Sequence, residues 1–259
     1  MPELPDVEGF RRVLTEHAEG HTVERVEVLD AGVLRDIRPT DLDRAVTGHR
    51  LQAPERHGKW LLAHTDGPTV LLHFGMTGDL RWSPADEPRH RHDRVVFVTG
   101  DGELRYRDMR KLQGLRLALE RGAVERELAE LGPDASTVSR RKFEAMLAGR
   151  RGAVKAMLVD QTVVAGLGNL LSDEILWRAG IRPRQQCRDL AEGQRQRLHQ
   201  QMRHVLRASI PAGCVPPRPD WLTGVRDDPA ARCPRCDTPL RRDRVGGRST
   251  VWCPRCQPG

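Results

Sequence analysis

The chain has 259 residues, a formal charge of +7 and an isoelectric point near 9.5, with arginine greatly outnumbering lysine. No apolar run approaches the ~20 residues needed to cross a bilayer. The acidic, proline-containing start lacks the basic-then-apolar order of a secretory signal. A soluble cytoplasmic protein is therefore expected. The length allows a sizeable core and points to two domains. The basic balance fits a polyanionic partner, although a genome that favours arginine codons gives the same surplus.

The chain opens Met1-Pro2-Glu3-Leu4-Pro5-Asp6-Val7-Glu8. Removal of Met1 would make the ring nitrogen of Pro2 a free secondary amine. A terminal amine is deprotonated more often at neutral pH than a lysine, and a deprotonated amine can attack an electrophilic carbon to form a Schiff-base-type intermediate. Glu3, Asp6 and Glu8 would place carboxyl groups beside it to move protons. By itself this stretch reads more simply as a Met-Pro start with an acidic first helical turn.

From Pro5 a helical pattern runs through Val7, Phe10, Leu14 and Ala18, with Gly20 as its stop. Strand-like segments follow at 22–29, 50–52, 59–64, 69–74, 94–99 and 103–107, parted by turns such as Asp66-Gly67-Pro68 and Gly100-Asp101-Gly102. Their spacing predicts an antiparallel sandwich or barrel reaching to about Leu119. The pattern changes near Leu131-Gly132-Pro133. Helical periodicity then covers a segment capped by Ser139, and 153–160, 170–179 and 190–209. The proline-rich connector Val215-Pro216-Pro217-Arg218-Pro219 leads to the last module.

That module carries Cys233-Pro-Arg-Cys236 and Cys253-Pro-Arg-Cys256, a spacing that suits tetrahedral thiolate coordination of zinc better than a disulfide or redox pair. Cys187 and Cys214 stand alone. Seven arginines crowd the module against Asp237 and Asp243, a composition that favours a nucleic-acid backbone, and Arg248 falls near the tip of an expected hairpin. Between two helical segments lies Gly166-Leu167-Gly168-Asn169, where Asn169 is suited to cap the next helix and the helix start to hold a phosphate. Gly58-Lys59 puts a lysine on a turn. His73-Phe74-Gly75-Met76-Thr77-Gly78 ends a strand in a glycine-flanked turn, and Asp108-Met109-Arg110-Lys111-Leu112 offers cations beside an apolar residue in a loop. Exposed apolar wedges beside cations are one means of entering a base stack. The histidines show no metal-ligand spacing.

With these pieces in this order, the chain resembles the formamidopyrimidine-DNA glycosylase and endonuclease VIII family over nearly its whole length. The resemblance rests on Met1-Pro2-Glu3-Leu4-Pro5, Gly58-Lys59, the 73–78 turn, Gly166-Leu167-Gly168-Asn169 and the four-cysteine finger. It implies an α+β multidomain fold: an N-terminal β-sandwich with a leading helix (1–131), a helix–two-turns–helix domain (134–215), and a linker with a C-terminal zinc ribbon (216–259). It also implies a bifunctional enzyme that removes an oxidised base, then cuts the strand at the abasic sugar. Carried over by position, Pro2 would be the nucleophile, Glu3 the proton donor and Lys59 an essential phosphate contact, with Asp6 a further carboxylate. His73, Asn169 and Arg248 would hold phosphates, and Met76, Arg110 and Leu112 would fill the void left by the extruded base. Cys233, Cys236, Cys253 and Cys256 would hold one structural zinc.

The partner implied is duplex DNA with an oxidised base or an abasic site, bound by a monomer without membrane contact. Formamidopyrimidine and 8-oxoguanine are the substrates of the formamidopyrimidine branch; oxidised pyrimidines are those of the other. Four departures bear on that choice: Asp6 where Glu is usual, Leu112 where Phe is usual, Leu171 where an aromatic is common, and a shorter connector before Cys233. The connector region includes the loop that closes over an oxidised purine. A catalytically weak binder of lesions, and a zinc-ribbon transcription or RNA-binding factor, remain as other readings.

Overall fold

The computed structural model describes residues 1–258. It separates into two compact units, one of Met1–Pro2 with Asp6–Glu130, the other of Glu3–Pro5 with Leu131 onward.

In the first unit, helix α1 (Leu4–His17) turns Val7 and Leu14 into the core and ends before Gly20, whose φ is +85°. Eight strands follow: β1 (Val23–Val28), β2 (Glu55–His57), β3 (Trp60–His64), β4 (Thr69–His73), β5 (Asp79–Ser83), β6 (Asp93–Thr99), β7 (Gly102–Arg107) and β8 (Leu115–Ala118). They form two antiparallel sheets, ordered β1-β6-β7-β5 and β2-β3-β4-β8. Side chains alternate across a strand. Leu61, Ala63, Val70 and Leu72 therefore meet Val26, Val95, Phe97 and Leu104 in one core. Leu62 and Leu71 point the other way, against Val124 of α3 (Arg121–Leu128). Burial on both faces is why β3 and β4 read as unbroken apolar runs.

The sandwich agrees with the sequence expectation, with differences in detail. The segment at 50–52 is not a strand; Arg50 and Leu51 make single bridges to Thr22 and Thr65, too few for a ladder. Strands β2, β5 and β8 and helices α2 (Pro39–Val46) and α3 are additional. In β5, the flanking Asp79 and Arg81 mask the alternation that turns Leu80 into the core with Trp82 packed against it.

The second unit is built from α4 (Arg140–Leu147), α5 (Val154–Val159), α6 (Asn169–Ala179), α7 (Glu192–Ala212), the short α8 (Leu222–Val225) and the hairpin β9 (Arg241–Val245)–β10 (Arg248–Trp252). Ser139 caps α4 by accepting from Lys142 N, as its position predicts. Leu4, Phe143, Leu158, Leu171, Ile175, Met202 and Leu206 share its core. Trp177 of α6 packs with Leu222, Val251 and the cysteine module. The stretch that follows the proline-rich connector is folded. Trp221 is buried between Arg178 and Arg218, and Thr223 N donates to Glu174 Oε2 at 3.1 Å.

A buried ionic cluster joins these parts. Lys155 Nζ lies 2.6 Å from Asp173 Oδ1 and donates to Ser249 O and Thr250 Oγ1 at 2.7 and 2.8 Å, while Asp173 Oδ2 receives Arg226 Nη2 at 2.8 Å. Burial pushes the Lys155 pKa down and that of Asp173 up, and each opposes the shift of the other. Breaking such a pair leaves an uncompensated buried charge. Asp173→Asn should lower unfolding stability by about 3–5 kcal/mol, read from urea titration; an unchanged midpoint would refute the cluster's role.

Candidate active site and DNA-contact residues

Pro2 stands immediately before Glu3, and Glu3 is fixed. Its side chain is buried, and its carboxylate accepts three backbone N–H groups at the start of α6. Gly168 N reaches Oε2 at 2.8 Å, Leu171 N reaches Oε2 at 3.2 Å, and Leu170 N reaches Oε1 at 2.8 Å. Helix starts carry unpaired amides and a partial positive charge, so a carboxylate is favoured there. One residue on, Leu4 N donates to Gly166 O at 3.0 Å.

This contact explains the glycines. A Cβ on Gly168 would lie 2.3 Å from Glu3 Cδ, and one on Gly166 would lie 2.6 Å from Leu4 Cδ1, with Gly166 at φ +108°. It also corrects two expectations. The cap of α6 is Gly168, not Asn169, and makes no side-chain cap bond. The amides expected to cradle a phosphate are spent on Glu3. Asn169 instead directs Nδ2 to Ser249 Oγ at 3.2 Å, next to Arg248 at the start of β10. Gly246 and Gly247, both at positive φ, form the two-residue turn before it. The structure thus brings Asn169 and the Arg248 segment together.

Lys59 sits with Gly58 on the two-residue turn between β2 and β3. Arg56 steadies that turn, donating to Gly58 O at 2.9 Å and to Glu8 Oε2 at 3.0 Å. Asp6 lies half-buried in the first turn of α1. His73 ends β4 with its ring edge-on to Trp60. Burial first, then the positive charges of Lys59 and Arg116, push its pKa down to about 4, so the ring is neutral at pH 7. Gly75 N donates to Nδ1 at 3.0 Å, which leaves the proton on Nε2. His73 is thus a neutral donor beside a lysine.

Met76, Met109 and Leu112 are 38 %, 53 % and 49 % exposed, so three large apolar side chains concentrate on two loops. The loops are joined: Thr77 Oγ1 donates to Asp108 Oδ1 at 2.6 Å, and Arg110 N reaches both Thr77 Oγ1 and Asp108 Oδ1 at 3.0 Å. Arg110 Nη1 lies 3.2 Å from Met76 Sδ. Met76 and Arg110 are therefore in contact, with Leu112 exposed two residues further along the same loop.

The sulfurs of Cys233, Cys236, Cys253 and Cys256 all lie within 4.8 Å of one another. The separations Cys233–Cys256, Cys236–Cys253 and Cys236–Cys256 are 3.8, 3.5 and 3.4 Å. Zinc with four thiolates at ~2.3 Å requires sulfurs ~3.8 Å apart, so the set fits with no open coordination position. Trp177 Nε1 donates to Cys233 Sγ at 3.3 Å. Most arginines of the module are committed: Arg232 pairs with Asp237, Arg242 donates to Arg226 O and Asp228 O, and Arg235 stacks on Trp177. Among the described residues, Arg248 and Arg255 make no such contact with their side chains. The expected surplus of free arginines is smaller than the sequence suggests.

Comparison with known proteins decides the family. Residues 1–115 match the formamidopyrimidine-DNA glycosylase N-terminal domain, 131–215 its H2TH domain, and 232–259 the zinc finger found in FPG and IleRS. The chain belongs to the formamidopyrimidine-DNA glycosylase family. The formamidopyrimidine-DNA glycosylases of Bacillus subtilis and Halorhodospira halophila are 35 % and 38 % identical, each over 99 % of this chain and 99 % and 100 % of theirs. A Lactococcus lactis Fpg mutant in complex with Fapy-dG DNA superposes with a TM-score of 0.90 at 29 % identity, covering 100 % of both chains. Membership makes the chain a DNA glycosylase of base-excision repair, in a family for which lyase activity at abasic sites is characteristic. One structural zinc belongs to the four cysteines. Among the described residues no helix is long and apolar enough to cross a membrane.

Sequence reasoning missed Arg56, Asp108 and the buried Lys155, because nothing local marks an arginine, aspartate or lysine as a support. Two outcomes test the geometry. Gly168→Ala should cost about 1–3 kcal/mol of stability, as overpacking does, and shift the Glu3 carboxylate; an unperturbed crystal structure would refute the tight fit. For His73 the unfolded chain binds protons near pH 6.5 and the folded one only near pH 4. Its contribution is complete above pH 6.5 and is lost as pH falls toward 4, by on the order of 3 kcal/mol. His73→Gln should flatten that stretch of the stability profile, and an unchanged slope would contradict the shift.

Proposed function

We propose that this enzyme excises oxidised bases from duplex DNA and cuts the abasic strand through a covalent intermediate on Pro2. The observation that carries the reading is the anchoring of Glu3 by three amides, which fixes the chain one residue from the proposed nucleophile.

In this mechanism Met1 has been removed and the Pro2 nitrogen attacks C1′ with its lone pair as the bond from C1′ to the base breaks. Glu3 moves the proton that the departing base and opening sugar require. The resulting iminium acidifies C2′; loss of that proton expels the 3′ phosphate, and a second elimination can release the 5′ phosphate. Water hydrolyses the adduct and restores the amine. Asp6 is the further carboxylate near the amine. Lys59, His73 through Nε2–H, Asn169 and Arg248 bind the phosphates around the extruded nucleotide. Met76, Arg110 and Leu112 enter the stack, because chemistry at the sugar requires the base to be taken out of it. Segment 1–131 supplies the nucleophile and wedge, 134–215 the Asn169 contact and 216–259 the Arg248 contact. The protein acts as a monomer where the DNA is, in the cytoplasm at the nucleoid.

Formamidopyrimidine is the substrate that the family name favours, and 8-oxoguanine goes with it as the other substrate expected of that branch. A specific observation favours a second reading, that oxidised pyrimidines are preferred. The short connector is packed onto α6 through Trp221, Thr223 and Arg226, so this stretch is not a free loop available to cover a purine.

The test is borohydride trapping on a duplex with one abasic site. The mature protein should give a covalent adduct that maps to Pro2 and is lost when a residue is retained before Pro2, which ties its nitrogen up in an amide. Binding with no adduct would replace the enzyme by a lesion-binding protein. Single-turnover cleavage of formamidopyrimidine, 8-oxoguanine and dihydrouracil duplexes then ranks the lesions; faster 8-oxoguanine cleavage would defeat the second reading.

A further inference from the structure

We infer that Arg35 is a positioning residue for base extrusion: its guanidinium holds the 108–113 loop in the shape that presents Leu112 and Arg110. The inference rests on the reading of Met76, Arg110 and Leu112 as the wedge.

Arg35 is half-buried and lies on a different loop, after a one-turn helix at Ala31–Val33. Its Nη2 donates to Lys111 O at 2.8 Å and to Gln113 O at 2.7 Å, carbonyls on either side of Leu112. Its Nη1 donates to Gly32 O at 2.9 Å and Leu34 O at 3.0 Å, which fixes the guanidinium to its own loop. A planar guanidinium with several donors in fixed directions can make this bridge; an ammonium on a flexible stem cannot reproduce it.

Two further contacts fix the same loop, and a third joins their anchors. Lys111 Nζ donates to Asp30 Oδ2 at 2.9 Å, Arg94 Nε donates to Asp108 O at 2.7 Å, and Arg94 Nη1 lies 3.2 Å from Asp30 Oδ2. Lys111 adopts φ +53°, a left-handed conformation unfavourable for a residue with a Cβ. Such a conformation persists when its surroundings over-determine it, and the paired carbonyl bonds from Arg35 and the Asp30 tie supply that. The backbone is occupied at Asp108, Arg110, Lys111 and Gln113 while the side chains of Met109 and Leu112 stay exposed. A loop ordered before binding does not lose that freedom when it enters the stack.

The test compares wild type with Arg35→Lys on two substrates: a paired duplex with 2-aminopurine opposite the lesion, and a single strand with one abasic site, which has no base to extrude. The expected result is a loss of about 10- to 100-fold in the single-turnover rate on the duplex, the size of effect small misplacements produce. The 2-aminopurine response should slow in parallel, while borohydride trapping on the single strand stays within about twofold. Equal losses on both substrates would mean a merely structural role and overturn the inference, as would no loss on either. If Arg35→Lys does not fold, Asp30→Asn, which frees Lys111 and leaves both carbonyl bonds, should give the same selective defect in smaller measure; its absence overturns the inference. Leu112→Ala and Met76→Ala run beside them. If these leave the 2-aminopurine response intact, the wedge reading fails and this inference falls with it; if they slow it and Arg35→Lys does not, only this inference fails.

Discussion

A single carboxylate placed against the start of one helix sets the arrangement of the turn and the chain start around it. Glu3 takes the amides of Gly168, Leu170 and Leu171, the groups a helix leaves unpaired at its beginning. The glycine turn, the burial of Leu4 and the absence of a side-chain cap on α6 all follow from making room for it. The amine proposed to do the chemistry has no need of elaborate contacts of its own. It is tethered one residue from a fixed point, and a tether of one residue has a reach of only ~3.6 Å.

The phosphate-side residues gain their properties from equally local causes. His73 is neutral because it is buried beside two cations, and its tautomer follows from one amide, that of Gly75. Lys59 is held by the geometry of a two-residue turn and by Arg56, itself set by Glu8 on α1. Buried charges such as Lys155, Asp173 and Arg226 contribute no contact to substrate in this scheme. They join α5, α6 and the β9–β10 hairpin, and so determine where the residue next to Ser249 can be.

Much of this was legible in the sequence and some was not, for physical reasons. The cysteine pairs, the glycine-flanked turns and the strand periodicity are local signals, so the zinc ribbon, the Gly58-Lys59 turn and the sandwich could be read directly. The 50–52 segment misled because its apolar residue pairs through isolated bridges. The helix start after Gly168 reads as a phosphate cradle because the group that fills it lies 165 positions away. Arg35, Asp108 and Lys155 are supports whose partners are likewise remote, and no window of sequence distinguishes them from surface charges.

The Trp177 indole, whose N–H meets the Cys233 sulfur while Arg235 lies 4.3 Å over the ring, gives the protein a built-in optical gauge. Filling and emptying of the thiolate cage change the charge on the atom that the chromophore touches. Its emission would follow the metal's arrival and departure without any attached dye.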